Sequence, residues 1–205
     1  MDFNINIAFY IAVYLVASIP FGYLLAMKFA QVDIKKEGSG NIGATNVLRV
    51  VKQKDPVLAK KLGAITLFLD AIKGVVVMLV AMAFGVSEDT LWSIAVLAVV
   101  GHCFSVFLAF EGGKGVATAI GVLTLMMPFA SLVAIAFWAF GAKVLKISSL
   151  SSLIGLAGFV IASYIIYPEI EGIGSHSPVW IIAIIVFYKH IPNLVRLFNK
   201  EEKAI

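Results

Sequence analysis

Long apolar runs separated by short polar segments form the main pattern of the chain. A helix that crosses a bilayer needs about 20 mainly apolar residues, and seven runs approach or exceed that length. The runs lie at residues 5–30, 62–84, 91–110, 116–127, 129–145, 150–167 and 178–190. Because backbone polar groups in lipid must be satisfied within the protein, we expect these runs to be helices. The pattern therefore predicts an all-α, polytopic integral membrane protein with seven transmembrane helices.

Two features of this pattern concern how the runs are joined and where they begin. Only Pro128 separates the fourth and fifth runs. A single helix through both would be too long for an ordinary bilayer, so we predict a tight turn there. The first run has neither a basic segment before it nor a small-residue cleavage pattern, so we expect a retained span rather than a cleaved signal peptide. We treat residues 1–205 as a single membrane-embedded domain.

The charged residues alternate between the two ends of the predicted bundle. Lys and Arg fall in every second connection, whereas the intervening connections carry Glu88, Asp89, Glu169 and Glu171 or no charge. The positive-inside rule makes the basic side cytoplasmic. The N-terminus is then predicted outside and the C-terminus in the cytoplasm. The basic connections hold Lys28, Lys35, Lys36, Arg49, Lys52, Lys54, Lys60 and Lys61, then Lys114, then Lys143 and Lys146, then Lys189, Arg196, Lys200 and Lys203.

Composition supports the membrane assignment. The chain is 61% hydrophobic and 14% charged, whereas soluble domains are about 25% charged. The net charge of +4 does not by itself indicate a nucleic-acid partner, and none is predicted. Cys103 is the one cysteine, so no intrachain disulfide can form, and we expect this residue to be a small buried apolar side chain.

The first polar connection contains the most informative motif, GSGNIGATNVLR at residues 38–49. Glycines allow backbone N–H groups to approach an anion, and successive N–H groups form an anion-binding nest. Arg49 can hold an oxyanion through two parallel hydrogen bonds, and a helix beginning near Ala44 would add further donors. The alternative is an ordinary surface turn rich in glycine and asparagine. The candidate phosphate-binding residues are Gly38, Ser39, Gly40, Asn41, Gly43, Thr45, Asn46 and Arg49.

A second motif, EGGKG at residues 111–115, begins the fourth run on the same predicted side. It lacks the glycine spacing and the Ser or Thr of a P-loop. Gly112, Gly113 and Gly115 could nevertheless expose backbone donors, with Lys114 as a point charge beside a helix start. The alternative is a turn between helices that carries an interfacial lysine.

Two further polar groups fall on this side. Ser148, Ser149, Ser151 and Ser152 begin the sixth run, where serine commonly caps a helix but could also donate to a phosphate. His190, Asn193 and Arg196 are spaced three apart and would share one face if the last helix continues past Pro192. The alternative for them is a polar helix end.

Charged residues also occur within a predicted span. Asp70 and Lys73 stand at i and i+3, so we expect them to pair, either structurally or as part of a substrate site. The depth of His102 is left open. We predict neither a metal site nor a cofactor, because no histidine has carboxylate or thiol ligands at suitable spacing.

Nothing in the sequence resembles a covalent catalyst. There is no G-x-S-x-G motif, and Cys103 has no base beside it. Loops rich in donors and positive charge instead favour a site that binds phosphates and positions reactants. A membrane transporter for phosphate or organophosphates would offer similar anion sites, although its polar groups would be expected nearer the midplane.

The motifs and their order resemble those of the acyl-phosphate:glycerol-3-phosphate acyltransferase (PlsY) family. The similar segments are Ser18-Ile19-Pro20, GSGNIGATNVLR, Gly101-His102 leading to GGKGVAT, S-L-x-S at residues 149–152, and H-x-x-N-x-x-R at residues 190–196. The family usually has proline where this chain has Ser105, and glycine where it has Lys200. Glu202 stands near the position of an acidic residue of the family.

The resemblance implies seven transmembrane helices in the bacterial inner membrane, with the active site facing the cytoplasm. It implies transfer of a fatty acyl group from acyl phosphate to glycerol-3-phosphate, giving lysophosphatidic acid and phosphate for phospholipid synthesis. It implies no metal or cofactor, and a functional link to an enzyme that produces acyl phosphate. The implied catalytic residues are Ser39, Arg49, Lys114, His190 and Asn193, with Ser149, Ser152, Arg196 and the glycines of both loops binding substrate.

Overall fold

The computed structural model describes residues 4–202, and every regular element in that range is helical. Six helical segments are long and apolar enough to cross a membrane, and a seventh is shorter. The elements are α1 (Ile5–Ser18), α2 (Phe21–Leu25) with a π-helical turn (Ala26–Ala30), α3 (Ala44–Val51), α4 (Pro56–Ala83), α5 (Glu88–Cys103) with a 3₁₀ turn (Val106–Leu108), α6 (Val116–Met126), α7 (Pro128–Leu145), α8 (Ser148–Ile166) and α9 (Ser177–Phe198).

The predicted helices are therefore present, with shifted boundaries. Helix α4 begins six residues before the predicted span because Asp55 caps it: Asp55 Oδ1 accepts from the backbone N–H groups of Val57 and Leu58, both at 2.9 Å. Its 28 residues extend about 42 Å, which exceeds a hydrocarbon core of about 30 Å, so its first turns project beyond the lipid. Helix α9 includes Pro192 and continues to Phe198, so the condition for His190, Asn193 and Arg196 to share one helix face is met.

Helix α6 has only 11 residues, which extend about 16 Å and reach roughly half the depth of a bilayer core. Met127 ends it, and Pro128 is the first residue of α7, so the tight turn predicted at this proline is confirmed. This short helix is stabilised by close packing against α4. A side chain at Gly121 would lie 2.0 Å from the backbone oxygen of Ala71 on α4, so these two helix backbones touch.

The first span breaks at Pro20, which has no N–H to continue the helix. The break leaves backbone oxygens that need donors within the membrane. Ser105 Oγ donates to Ser18 O at 2.6 Å, and Lys73 Nζ donates to Ile19 O at 3.1 Å. Side chains from two other helical segments thus hold the kink, and they draw its backbone toward the centre of the bundle.

Apolar side chains form one large core to which α1 and α4 to α9 all contribute, and a smaller one around α3. The outer surface is also apolar: Phe140 and Ile165 are 68% and 73% exposed. Exposed apolar area on this scale marks a surface that contacts lipid rather than water.

Candidate active site

A half-open cavity of about 350 Å³ lies at the α3 end of the bundle, among α3, α4, the end of α5, α6, α7, α8 and α9. One part of its wall is polar and cationic, and another is apolar. The polar wall includes Ser39, Asn41, Thr45, Arg49, Lys114, Ser149, Ser152, His190, Asn193 and Glu202, and the apolar wall includes Leu67, Ile120, Leu123, Ile135, Trp138, Leu156 and Phe159.

The side chain of Asn46 fixes the loop that precedes α3. Its Nδ2 donates to the backbone oxygens of Ile34, Glu37 and Asn41 at 2.9, 3.2 and 2.8 Å. Its Oδ1 accepts from the N–H of Ser39 at 2.9 Å. Gly38 lies beneath this amide with φ +65, and a side chain there would come within 2.3 Å of Asn46 Oδ1.

These bonds correct part of the sequence prediction for this loop. Asn46 is 2% exposed and its amide is saturated by the protein, so it shapes the loop and is not an anion ligand. The N–H groups of Gly40 and Gly43 already donate to Glu37 O and to Asn41 Oδ1. Gly38 and Gly40 are absent from the cavity wall, whereas the other predicted loop residues contribute to it: Ser39, Asn41, Gly43, Thr45, Asn46 and Arg49.

The second glycine motif also uses its N–H groups internally. Gly112 N donates to Cys103 O at 3.1 Å, and Gly113 N donates to His102 O at 3.0 Å. The prediction that these two glycines offer donors to a phosphate is therefore wrong, because the end of α5 already accepts those bonds. Their role is to bring the loop against α5, which places Lys114 and Gly115 in the cavity wall.

Lys114 and Arg49 are the two cations of the cavity wall. Within residues 4–202 neither lies within 4 Å of a carboxylate, and neither side chain donates to a protein acceptor. Burial lowers the pKa of Lys114 to about 8, and the positive charges of Arg196 and Arg49 add to this effect, while Glu202 opposes it. Two partly buried cations without acidic partners form a place where an anion gains charge-assisted hydrogen bonds.

The serines at the start of α8 do not cap that helix, whose N-cap residue is Ile147. Ser151 and Ser152 instead donate to backbone oxygens one turn earlier, at 2.7 and 2.9 Å. The hydroxyls of Ser148 and Thr45 lie 3.2 Å apart and join α8 to α3. Ser149 and Ser152 line the cavity, and their binding of substrate stays a prediction.

His190, Asn193 and Glu202 meet where α9 and the following segment close the cavity. His190 Nδ1 lies 2.7 Å from Val186 O. A carbonyl only accepts, so Nδ1 carries the ring hydrogen, and Nε2 of the neutral ring is an acceptor. Asn193 Nδ2 donates to Glu202 Oε1 at 2.6 Å.

Glu202, whose role the sequence did not settle, joins three elements of the site. It accepts from Ser149 Oγ at 2.7 Å, from Asn193, and from Arg196 Nε at 2.9 Å. Burial alone would raise its pKa, but these hydrogen bonds and the charge of Arg196 outweigh burial and lower it. Arg196 Nε is thereby bonded to Glu202, and Arg196 lies outside the cavity wall, while its contact with substrate stays a prediction.

The predicted pair of Asp70 and Lys73 is confirmed, with Lys73 Nζ 2.9 Å from Asp70 Oδ1. The structure also settles the depth of His102, which lies in the last turn of α5 with its Nδ1 2.8 Å from Lys73 Nζ. Asp70 and His102 both line the cavity. Their separation in sequence concealed this arrangement, which depends on how α4 and α5 pack.

A known protein family matches almost the whole chain. The model of the family described as glycerol-3-phosphate acyltransferase matches residues 7–200. The glycerol-3-phosphate acyltransferase of Sulfurimonas denitrificans is 59% identical, with 99% of this chain and 98% of the relative aligned. That of Aliarcobacter butzleri is 57% identical, and the whole of both chains is aligned.

Two solved structures have the same fold. Both are crystal structures of PlsY (YgiH), an integral membrane glycerol 3-phosphate acyltransferase. Its glycerol 3-phosphate form matches with a TM-score of 0.85 at 31% identity, and its lysophosphatidic acid form with 0.82 at 32%. Each match covers 98% of this chain and 96% of the other. The all-helical integral membrane fold is thereby shown, and the chain belongs to the glycerol-3-phosphate acyltransferase family.

Proposed function

We propose that the protein transfers a fatty acyl group from acyl phosphate to glycerol-3-phosphate, giving lysophosphatidic acid and inorganic phosphate. The observation that carries this proposal is the division of one cavity into a cationic wall and an apolar wall. A water-soluble phosphate ester and a phosphate that bears a fatty chain need these two environments side by side. Membership of the family supports the same acceptor.

The cationic wall suits the phosphates of both substrates. Arg49 and Lys114 come from different loops and have no acidic partner among residues 4–202. Arg49 can form parallel bonds to two phosphate oxygens, while Lys114 acts as a point charge. The hydroxyl of Ser39 adds a neutral donor along the same wall, and the hydroxyl of Thr45 adds another when Ser148 donates to it. Holding two reactants in this way makes the reaction effectively unimolecular.

The apolar wall suits the acyl chain. Ile120 and Leu123 of α6 face the cavity together with Trp138 of α7 and Phe159 of α8. Helix α6 spans roughly half the membrane, and Trp138 is 40% exposed on the lipid-facing surface. An acyl chain could therefore enter from the lipid and keep its phosphate at the polar end.

In this proposal the acyl group passes directly from acyl phosphate to glycerol-3-phosphate, with no acyl-enzyme intermediate. A hydroxyl oxygen of glycerol-3-phosphate attacks the acyl carbonyl carbon, and the bond from that carbon to the phosphate oxygen breaks. The hydroxyl proton leaves with the released phosphate, whose oxygen accepts it. Lys114 and Arg49 stabilise the negative charge on the carbonyl oxygen and on the leaving phosphate. Acyl phosphate is already activated, so no nucleophilic side chain is required.

The proposal also covers the side of the membrane that the cavity faces. The α3 end of the bundle carries most of the lysines and arginines of the connections. The positive-inside rule then directs this end to the cytoplasm of a bacterial cell. There the site would meet glycerol-3-phosphate and the product of an enzyme that makes acyl phosphate.

The proposal is tested with the full chain purified in detergent. Palmitoyl phosphate and labelled glycerol-3-phosphate should give labelled lysophosphatidic acid, whereas palmitoyl-CoA should give none. Lys114→Ala should abolish the product, and Lys143→Ala, at an exposed position of α7, should not. No product from either donor, with a folded wild-type protein, would refute acyl transfer and favour an organophosphate transporter.

A further inference from the structure

The buried cluster of Asp70, Lys73 and His102 is not used in the mechanism above, yet two of its members line the cavity. Lys73 and His102 are each 4% exposed. Lys73 Nζ has three acceptors: Asp70 Oδ1 at 2.9 Å, His102 Nδ1 at 2.8 Å and Ile19 O at 3.1 Å. An ammonium group has three hydrogens and no acceptor, so this lysine is fully used inside the protein.

Lys73 also fixes the state of the His102 ring. Since Lys73 donates to Nδ1, that nitrogen must hold a lone pair, and the ring hydrogen of neutral His102 lies on Nε2. Within residues 4–202 no acceptor lies within hydrogen-bond distance of Nε2. Among the described residues, the fully enclosed side-chain atoms without a partner are Thr66 Oγ1 and Ser131 Oγ, so Nε2 of His102 keeps some open surface. Because His102 lines the cavity, a ligand there can accept from this N–H.

The position of Nε2 points to the same conclusion. A side chain at Gly113 would come within 2.2 Å of Nε2, so glycine at this position is what leaves the nitrogen uncovered. Lys114, the next residue, is part of the cavity wall, as are Asp70 and His102. The free N–H thus lies beside the cationic loop, where substrate anions are expected.

We propose that His102 is a further substrate-binding residue, whose Nε2–H donates to a phosphoryl oxygen next to Lys114. Lys73 is then a positioning residue, which selects the tautomer that presents this donor. The proposal rests on the function proposed above. Because both substrates carry a phosphoryl group, the experiment must distinguish glycerol-3-phosphate from acyl phosphate.

Two substitutions separate direct donation from a structural role. His102→Gln places an amide N–H2 near the position of Nε2 but removes the acceptor for Lys73. His102→Asn can keep an oxygen acceptor near the position of Nδ1 but withdraws the donor from the cavity. We expect His102→Asn to lower kcat/KM by about 10- to 100-fold, the effect of one charge-assisted hydrogen bond, and His102→Gln to retain most activity.

The kinetics identify the substrate. A raised KM for glycerol-3-phosphate assigns the contact to that molecule, and a raised KM for palmitoyl phosphate assigns it to the donor. The proposal would be overturned if the two variants had the same kcat/KM, whether both kept wild-type activity or both lost activity equally. If the wild-type protein makes no lysophosphatidic acid in the same assay, the proposed function fails instead.

A measurement on the wild-type protein avoids variants that fail to fold. The chain has 3 histidines, so ¹⁵N-histidine NMR in detergent can resolve each ring. We expect His102 with hydrogen on Nε2 and His190 with hydrogen on Nδ1, and a change in the His102 Nε2 resonance when glycerol-3-phosphate or palmitoyl phosphate is added alone. Hydrogen on Nδ1 of His102, or a resonance that neither substrate moves, would refute the proposal.

Discussion

Lys114 is part of the cavity wall, and Lys73 bonds to two residues of that wall, Asp70 and His102. Both lysines are shielded, but their surroundings differ. Lys73 on α4 donates to a carboxylate, an imidazole and a backbone oxygen. Lys114, in the loop before α6, has no carboxylate within 4 Å in the described part of the chain, and burial lowers its pKa. The first lysine is satisfied by the fold, whereas the second is satisfied only when an anion enters. Burial alone therefore does not identify a functional lysine; the partners of its ammonium group do.

The largest difference between the two lysines should appear in catalysis. Lys114→Met removes the charge and keeps much of the side-chain volume, so we expect kcat to fall by about 10²–10³-fold, as for loss of a donor to a developing oxyanion. The thermal midpoint should be unchanged or higher, because a charge that the fold does not pair is lost. A steady-state assay and thermal unfolding in detergent measure both quantities. Activity near wild type would remove Lys114 from the site.

The same substitution at Lys73 should act mainly on stability. Lys73→Met leaves the buried Asp70 carboxylate without its cation, a change that costs about 3–5 kcal/mol. For a chain of this size we expect the thermal midpoint to fall by roughly 6–20 °C. Adding Asp70→Asn to Lys73→Met should restore part of the loss. An unchanged midpoint in Lys73→Met would contradict the structural role of this pair.

The pH dependence tests Lys114 without removing it. Because its pKa is about 8 in the folded protein, its ammonium form is lost as the pH rises through 8, and kcat/KM should decline there. Lys114→Arg should move this decline to higher pH, since a guanidinium stays protonated. The same decline in both proteins would assign it to another group.

The lowered pKa of Lys114 also makes the free energy of unfolding depend on pH. Between pH 8 and 10.5 the unfolded chain holds a proton on this residue that the folded chain has released. The contribution of Lys114 to the free energy of unfolding therefore increases as the pH rises across this window. The contribution is unfavourable below pH 8, where the charge is present in both states.

A smaller effect is expected at Glu202, whose contacts include the Arg196 charge. Glu202→Gln keeps an oxygen for Ser149 or Asn193 but removes the charge that pairs with Arg196, so we expect kcat/KM to fall by less than about 10-fold. Glu201→Gln, at the exposed neighbouring position, is the matched control. Because the pKa of Glu202 is lowered, its stabilising contribution is present above its ordinary value and is lost as the pH falls through the folded value. Equal effects of the two substitutions would refute this role.

The smallest effect is expected at His190. If the substrate phosphate takes the hydroxyl proton, His190→Gln should keep kcat within about tenfold of wild type, because loss of a general base costs about 10²–10⁴-fold. Single-turnover kinetics would separate this step from product release. A loss of several orders of magnitude would instead make His190 the base that accepts the proton.

The sequence alone predicted the helical membrane fold and the tight turn at Pro128, and it allowed for a helix near Ala44, which the structure contains. Apolar length, proline and glycine act locally, so one pass along the chain detects them. The residue types also pointed to the two glycine loops as anion sites, and the family resemblance added the reaction in which they would act. Ser39, Arg49 and Lys114 of these loops lie on the cavity wall with His190 and Asn193 of α9, while their chemical roles stay predictions.

Only the tertiary structure decided which polar groups are free to meet a ligand. The N–H groups of Gly112 and Gly113 bond to the end of α5, and the amide of Asn46 bonds to its own loop. Residue type predicts neither set of hydrogen bonds. Each depends on where the fold places the accepting backbone oxygens, at the end of α5 in one case and in the preceding loop in the other. The sequence thus determined the membrane helices and the kinds of donor present, whereas packing determined which donors are already satisfied, since hydrogen bonds depend on distances in space.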